Sequence, residues 1–367
     1  MANSHIVFFS HNPFSETNKT QQIWQTIEKN AHNSFYLSWH WMENWLNCLP
    51  NSQNIQFIYA SYKGQPVFCY FLGIRKTLQH KFIYCNRAYL NQTGENEKDC
   101  IIIEHNGVLV DSSFVRKDFS HFFQKSNQWD ELVAKFVNPN QTKYFSTHNN
   151  DFNHRLEESD KAFSVDLNKV REHKTLLPLL SKNKRSQIKR SIKAYETTGE
   201  LQIRQADSLK DAHSILRKLI ELHQRNWINK GKKGSFASSF FMKFHNKLIS
   251  NYFDSGNIHL VQITAGEQVI GCLYNFSYKN NIYMYQTGFN FQQENVYRPG
   301  LTSHYLAINY YASLGYKNYD LLVGEMAYKR SLSTDSYLMP CYRLRKNKLI
   351  FKFEDILRNL KQKYNTL

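Results

Sequence analysis

The chain has 367 residues, with 47 Lys and Arg against 30 Asp and Glu, a formal net charge of +17. Hydrophobic residues make up 41% and aromatics 15%, which excludes a disordered chain, and 14 Gly with 7 Pro exclude collagen-like and low-complexity architectures. The length suits two domains of roughly 150 residues each, and the charge points to an anionic partner: nucleic acid, acidic lipid, or the phosphates of a nucleotide cofactor.

The first residues, MANSHIVFFSHNPF, lack the basic and long apolar regions of a signal peptide. The longest apolar run, 67–74, falls far short of the ~18 residues a spanning helix needs. A cytoplasmic chain is expected. Six cysteines, Cys48, Cys69, Cys85, Cys100, Cys272 and Cys341, show no CxxC spacing. They read as free thiols in a reducing compartment, with neither a disulfide framework nor a metal site.

Residues 35–46 carry Trp39, Met42, Trp45 and Leu46 at helical spacing. Residues 55–72 and 258–276 resemble each other: each reads as strand, polar turn marked by Gly64 or Gly266, strand. One hairpin in each half suggests a duplication. The polar stretch 141–161 is the expected boundary, giving domains 1–155 and 156–367. A short strand is expected at 163–167. A basic helix comes next at 181–197, stopped at Gly199. An amphipathic helix runs over 209–229, with Ala212, Ile215, Leu216, Leu219, Ile220, His223 and Trp227 on its apolar stripe. Another helix is expected at 236–253, then the second hairpin and a strand at 281–289. A helix over 301–313 ends at Gly315, and a strand at 318–323 delivers Gly324 to Lys329. The order is that of an α/β (α+β) fold with mixed sheets.

A strand, a loop with glycine and a helix can hold a pyrophosphate. Glycine admits the backbone, and the first-turn N–H groups and the helix dipole attract the anion. Here the recipe is the 281–289 strand, then Tyr297-Arg298-Pro299-Gly300, then the helix from Leu301. On these residues alone an ordinary strand-to-helix turn carries more weight. Neither GxGxxG nor GxxxxGK[ST] occurs, which disfavours a Rossmann site and a P-loop.

Several motifs come in a set order: Ser181-Lys-Asn-Lys-Arg-Ser-Gln-Ile-Lys-Arg190, Leu222-His-Gln-Arg-Asn-Trp227, Gly234-Ser-Phe236, Arg298-Pro-Gly-Leu301, and Gly315 through Asp320-Leu-Leu-Val-Gly324 to Tyr328-Lys329. The order resembles GNAT-type acyltransferases of the CelD/BcsL branch, associated with cellulose and exopolysaccharide biosynthesis. It is more distantly similar to the Fem family of peptidyltransferases. The resemblance spans 163–338, and extends more loosely into the first half through Trp39–Trp45, the 55–72 hairpin, Glu104-His-Asn106 and Trp129-Asp-Glu131. It implies two GNAT-like lobes, each a mixed β-sheet flanked by helices. It implies attack of an acceptor amine or hydroxyl on an acyl carbonyl, which needs a base, oxyanion donors and phosphate-binding cations. The implied donor is acyl-CoA or acetyl-CoA, with acyl carrier protein and aminoacyl-tRNA as alternatives, because the loop keeps one glycine, Gly300. The implied acceptor is a small molecule or a glycan precursor.

On this resemblance Arg298, Gly300 and Leu301 would hold the donor, with Lys184 and Arg185 at its phosphates. The basic helix carries six cations and no acid over 181–195 (Lys182, Lys184, Arg185, Lys189, Arg190 and Lys193). Its alternative is a solvated face. Lys230, Lys232 and Lys233 extend it, and an acidic membrane surface is another partner such a patch suits. Lys329 would contact substrate or phosphate; without the resemblance it reads as a surface lysine. Asp320, inside an apolar strand, would orient Lys329 or act as a base, against an exposed-face aspartate. Glu325 is a candidate base and Tyr328 a candidate acid. Tyr285 would line the cleft, though a strand tyrosine more often packs. His223 lies on an apolar stripe, the usual place of a core histidine, and the resemblance raises its catalytic share. Three functions compete: the acyltransferase, a Fem-like transferase using aminoacyl-tRNA, and a degenerate GNAT scaffold that only binds. Nucleic acid other than tRNA is disfavoured, since no RRM, zinc-finger or helix-turn-helix signature occurs.

Overall fold

The computed structural model of the chain describes residues 6–79, 83–114, 128–146, 152–349 and 351. Residues 1–5 of the N-terminal reading and 147–151 of the expected boundary lie outside them. The chain divides into two compact units: Met1–Asp160 with Met339–Leu367, and Lys161–Leu338. The crossing falls at 160/161, against 155/156 expected. The segment from Met339, placed in the second lobe from sequence, belongs to the first unit.

The first unit begins with β1 (Val7–His11), α1 (Thr17–Glu28) and α2 (Trp39–Cys48). A meander comes next, β2 (Ile55–Tyr62), β3 (Gln65–Gln79) and β4 (Ile83–Leu90). The β2–β3 turn places Lys63 and Gly64 at φ 50° and 79°, the left-handed pair a two-residue hairpin loop requires. A short strand, β5 (Leu109–Val110), pairs with β3. Next, β6 (Glu131–Ala134) lies parallel to β4 over Arg87–Tyr89, and a one-turn helix, α3 (Lys143–Ser146), succeeds it. Trp24 stacks on Phe71 at 5.0 Å in the core under α1.

The chain passes from the first unit to the second within β7 (Phe152–Asp166), which leads to α4 (Leu167–Glu172), α5 (Lys182–Glu196) and β8 (Leu201–Gln205). Then come α6 (Leu209–Ile228), α7 (Ser239–Tyr252), β9 (Ile258–Ala265), β10 (Gln268–Tyr278) and β11 (Asn281–Phe289). The order finishes with α8 (Pro299–Ser313), β12 (Asn318–Val323), α9 (Ala327–Leu332) and β13 (Asp335–Lys346), the last of which returns to the first unit at Met339. The 327–332 stretch, for which no helix is expected from sequence, is a short helix. The expected strand at 163–167 is the end of the longer β7. Serines start four of the helices: Ser38, Ser181, Ser208 and Ser238 each accept a hydrogen bond from the N–H three residues on.

Both units run strand, helix, helix, three-stranded antiparallel meander, then a parallel strand. In the first, β6 is flanked by β4 and, antiparallel, β13. In the second, β12 is flanked by β11 and, antiparallel, β7. Each unit thus receives its last strand from the segment that comes after the other unit's parallel strand. The duplication expected from the two hairpins is real at the level of topology. This is an α/β fold of two mixed-sheet, GNAT-like lobes. None of the six cysteines is joined in a disulfide. Among the described residues no helix is long and apolar enough to cross a membrane.

Candidate active site

Strands β11 and β12 pair only over Asn281–Tyr283 and Asn318–Asp320, although β11 continues to Phe289 and β12 to Val323. Beyond those pairs the strands part and open a wedge in the sheet. A bulge sharpens the divergence: Tyr274 faces Gln286 and Asn275 faces Met284, so Tyr285 is the extra residue. Ile282 and Met284 pack into the core that includes Ala307 and Ile308 of α8. Tyr285 instead meets Phe241 and His245 of α7. The wedge therefore has an α8 side and an α7 side.

On the α8 side, the helix begins at Arg298, whose carbonyl accepts from Thr302 N–H at 2.9 Å. The buried Ser191 of α5 bolts the two helices together: its Oγ lies 2.9 Å from Thr302 Oγ1 and accepts from Arg298 N–H at 2.9 Å. A cleft of about 200 Å³ opens there, lined by Gln187, Arg190, Asn295, Val296 and Arg298. Burial, and then the charge of Arg298, hold the Lys184 ammonium pKa below its usual value. Like charges thus converge at the start of α8, where N–H groups and the helix dipole already favour an anion. None of Lys184, Arg190 and Arg298 has an ion-pair partner among the described residues. A side chain at Gly300 would come within 3.3 Å of the Phe289 ring, so glycine lets the end of β11 approach the first turn.

Two expected donor contacts point elsewhere. Arg185 turns back to donate to the Leu180 carbonyl at 2.8 Å. The Leu301 side chain belongs to the core, leaving its backbone N–H as the group that could face an anion.

At the end of β12, Asp320 is buried, not on an exposed face. One oxygen accepts from Leu322 N–H at 2.9 Å and the other from Tyr337 O–H at 2.6 Å. Leu322 has φ 63°, a left-handed conformation costing of order 1–3 kcal/mol. Asp320 therefore holds the strained strand end in place. Lys329 is also buried and donates to the carbonyls of Val323 at 2.5 Å and Leu322 at 3.4 Å. It is no surface lysine. Glu325 is exposed and 3.5 Å from Arg330. Tyr328 is half-buried, its ring parallel to that of His304 at 5.1 Å. Burial raises the Tyr328 pKa. Burial and then Lys329 push His304 down to about 3, so that imidazole is neutral.

On the α7 side, Gly288 lets α6 lie on β11: a Cβ there would sit 2.4 Å from the Leu219 carbonyl oxygen. One turn later His223 is buried, edge-on to Phe236 at 5.0 Å, with Nδ1 3.0 Å from Gln224 Oε1. Burial lowers its pKa. Phe236 contacts Phe241, which stacks near Tyr285. Tyr285 Oη lies 3.2 Å from His245 Nε2, and His245 Nδ1 lies 3.3 Å from Tyr274 Oη. Sequence reasoning missed Ser191, His245 and His304. His245 is in helical register with Phe241, Leu248 and Ile249, where a histidine reads as core.

Residues 182–330 match the family described as Acetyltransferase (GNAT) domain. The match lies within the second unit and spans less than half of the chain. The chain is similar in structure to FemX, with a TM-score of 0.58 and 11% identity over 91% of this chain and 98% of that one. It is similar to a conserved protein of unknown function from Bacteroides thetaiotaomicron, with a TM-score of 0.53 and 10% identity over 90% and 97%. It is also similar to the C-terminal domain of a candidate lysylphosphatidylglycerol synthetase from Agrobacterium fabrum, with a TM-score of 0.50 and 9% identity over 92% and 95%. At such identities these likenesses establish the fold. No curated protein sequence matches the chain.

Proposed function

We propose that the second unit is an acyltransferase that moves an acyl group from acyl-CoA, or from the phosphopantetheine of an acyl carrier protein, to an amine or hydroxyl. The observation that carries this reading is the wedge between β11 and β12, opening beside Lys184, Arg190 and Arg298 at the start of α8. A phosphate-bearing donor fits it: phosphates at the cations, thioester in the wedge. The nucleophile attacks the carbonyl carbon, the C–S bond breaks with its electron pair on sulfur, and the proton lost by the nucleophile goes to the thiolate. The order of motifs supports the finer reading of a CelD/BcsL-type enzyme acting on a cell-envelope, polysaccharide or amino-compound precursor. Lys182, Lys189 and Lys193 extend along α5 beyond the cleft and favour one second reading, a longer polyanion such as aminoacyl-tRNA. Isothermal titration with CoA tests the first. Arg190→Ala with Arg298→Ala should abolish binding that the parent shows, and unchanged binding sinks the site. RNA binding that falls steeply with salt would instead support the second.

A further inference from the structure

One end of the second unit carries apolar side chains in water. Strands β11 and β12 are parallel, so both finish at that end. Helix α6 finishes there too: it passes Gly288 at Leu219, and Arg225 donates to Asn290 Oδ1, just beyond β11, at 2.8 Å. Helix α8 starts there, with Gly300 against Phe289. In the loops of this end Ile228 is 65% exposed, Phe291 54%, Met326 49% and Val296 39%. Among the described residues, three further large apolar side chains of this unit are exposed. Leu209 and Leu314 stand at the opposite end, where α6 begins and α8 finishes, and Leu338 is on β13. Single exposed apolar residues are ordinary, but their gathering at one end marks an interaction surface.

Trp227 lies at the same end. The other five tryptophans are buried, and Trp227 is partly exposed. The turn after it is built, not slack. Lys230 and Lys232 N–H both donate to the Trp227 carbonyl, at 3.0 and 2.9 Å, and Gln224 Nε2 donates to the Lys233 carbonyl at 2.9 Å. Gly231 and Gly234 supply the left-handed positions, at φ 69° and 72°. The turn thereby holds the Lys230 and Lys232 ammonium groups 5.8 and 5.6 Å from the centre of the Trp227 ring. Residues 222–253 hold six Lys and Arg and no Asp or Glu. Against these cations the loops of this end set two exposed acids, Glu294 and Glu325, the second of which faces Arg330 at 3.5 Å. A tryptophan under lysines with an exposed isoleucine beside it suits a membrane–water boundary. Rings and aliphatic chains enter among the headgroups, and ammonium groups meet the lipid phosphates. RNA would use the cations, but it gives Ile228 and Met326 nothing to bury against.

We propose that this end of the second unit docks on an anionic phospholipid surface. Trp227, Ile228 and Phe291 enter the headgroup boundary, and Lys230, Lys232 and Lys233 meet the phosphates. The attachment is peripheral, on the surface and not across it. The cleft lined by Arg190, Val296 and Arg298 opens at the same end, so docking sets the candidate site at the lipid surface. The docking stands independently of the acyltransferase reading.

Co-sedimentation of the full chain with vesicles tests it, using phosphatidylcholine alone and phosphatidylcholine mixed equally with phosphatidylglycerol. The chain should bind the mixed vesicles and leave the neutral ones in the supernatant. Tryptophan emission should shift to shorter wavelength on binding, and Trp227→Phe should remove the shift, because the other five rings are already buried. Lys230→Gln, Lys232→Gln and Lys233→Gln together should weaken binding roughly 100-fold, about fivefold per lysine. Ile228→Ser with Phe291→Ser should weaken it by roughly tenfold. Leu314→Ser, exposed at the opposite end, should stay within twofold of the parent. All these positions are exposed or partly so, and an unchanged Tm confirms that the variants fold. Equal binding to both vesicle types, no binding to either, or an Ile228→Ser, Phe291→Ser variant within twofold of the parent overturns the proposal. So does an emission shift that survives Trp227→Phe. RNA binding without vesicle binding, lost in the lysine variant and kept in the serine variant, overturns it in favour of RNA.

Discussion

Glu131 of β6 is fully buried and faces three arginines. It pairs with Arg87, with Arg343 at 3.3 Å and with Arg345 at 2.6 Å. Burial works against the Arg87 charge, and the Glu131 carboxylate outweighs it, holding that guanidinium above its usual pKa. Glu131→Gln keeps the shape and removes the charge. The three arginines do not lose equally. Arg343 retains Glu157 at 2.7 Å, and Arg343 and Arg87 keep 19% of their side chains in solvent, whereas Arg345 keeps 3%. Breaking a buried ion pair by removing one partner costs about 3–5 kcal/mol, and Arg345 carries most of it. For a unit of this size each kcal/mol lowers Tm by roughly 2–4 °C, so a fall of roughly 6–20 °C is expected. Five of the six tryptophans, Trp24, Trp39, Trp41, Trp45 and Trp129, lie in the first unit. Intrinsic fluorescence therefore tracks this unit, and calorimetry separates the second. Glu157→Gln is the control: a single partly exposed partner is worth about 0–1 kcal/mol. A Glu131→Gln cost below about 1 kcal/mol would refute the reasoning, because it would mean that water or a rearranged neighbour already neutralises the cluster.

Ser191→Ala strands Thr302 Oγ1 and Arg298 N–H; a loss of about 1–3 kcal/mol is expected, with weaker CoA binding, and unchanged binding by titration would show that the α5 bolt does not shape the cleft. His245, His259 and His304 are buried neutral, with pKa values pushed down to about 3, 4 and 3. Their unfolded values lie near 6.5, so below that pH the unfolded chain binds more protons. The stability they confer is present above about pH 6.5 and is lost as pH falls toward 3–4, by on the order of 1–2 kcal/mol per histidine at pH 5; calorimetry of the second-unit transition at pH 7 and pH 5 checks this, and a flat profile contradicts it. Donor binding should saturate at one CoA per chain by titration, and two equal sites would show that the first unit also takes a donor.

The helices and the second hairpin were legible because serine caps, glycine stops and a 3.6-residue period all agreed. The first half of β7 was not: His154 to Asp160 is polar and mostly exposed, so it reads as a linker. The helix α9 is six residues long, too short for periodicity to show. In the site, composition located the cations but not their directions. Lys184 and Arg185 are adjacent, about 100° apart around α5, so they cannot share one direction. His245 was hidden because its partners are 29 and 40 residues away.

The two parallel junctions explain why one topology supports different roles. In the first unit the row across three strands is Arg87, Glu131, Arg345. In the second it is Tyr283, Asp320, Ser164. Each row has an acid at its centre. Arginine neighbours make Glu131 a counter-ion, and the first unit's cations there are neutralised internally. Hydroxyl neighbours leave Asp320 to fix Leu322, and with it the strand end that opens the wedge. In the second unit, Lys184 and Arg190 of α5 and Arg298 at the start of α8 have no ion-paired carboxylate among the described residues. The net charge of +17 thus has different meanings in the two units. At this junction in the first it is part of the core, and at the start of α8 in the second it includes three cations with no ion-paired carboxylate among the described residues.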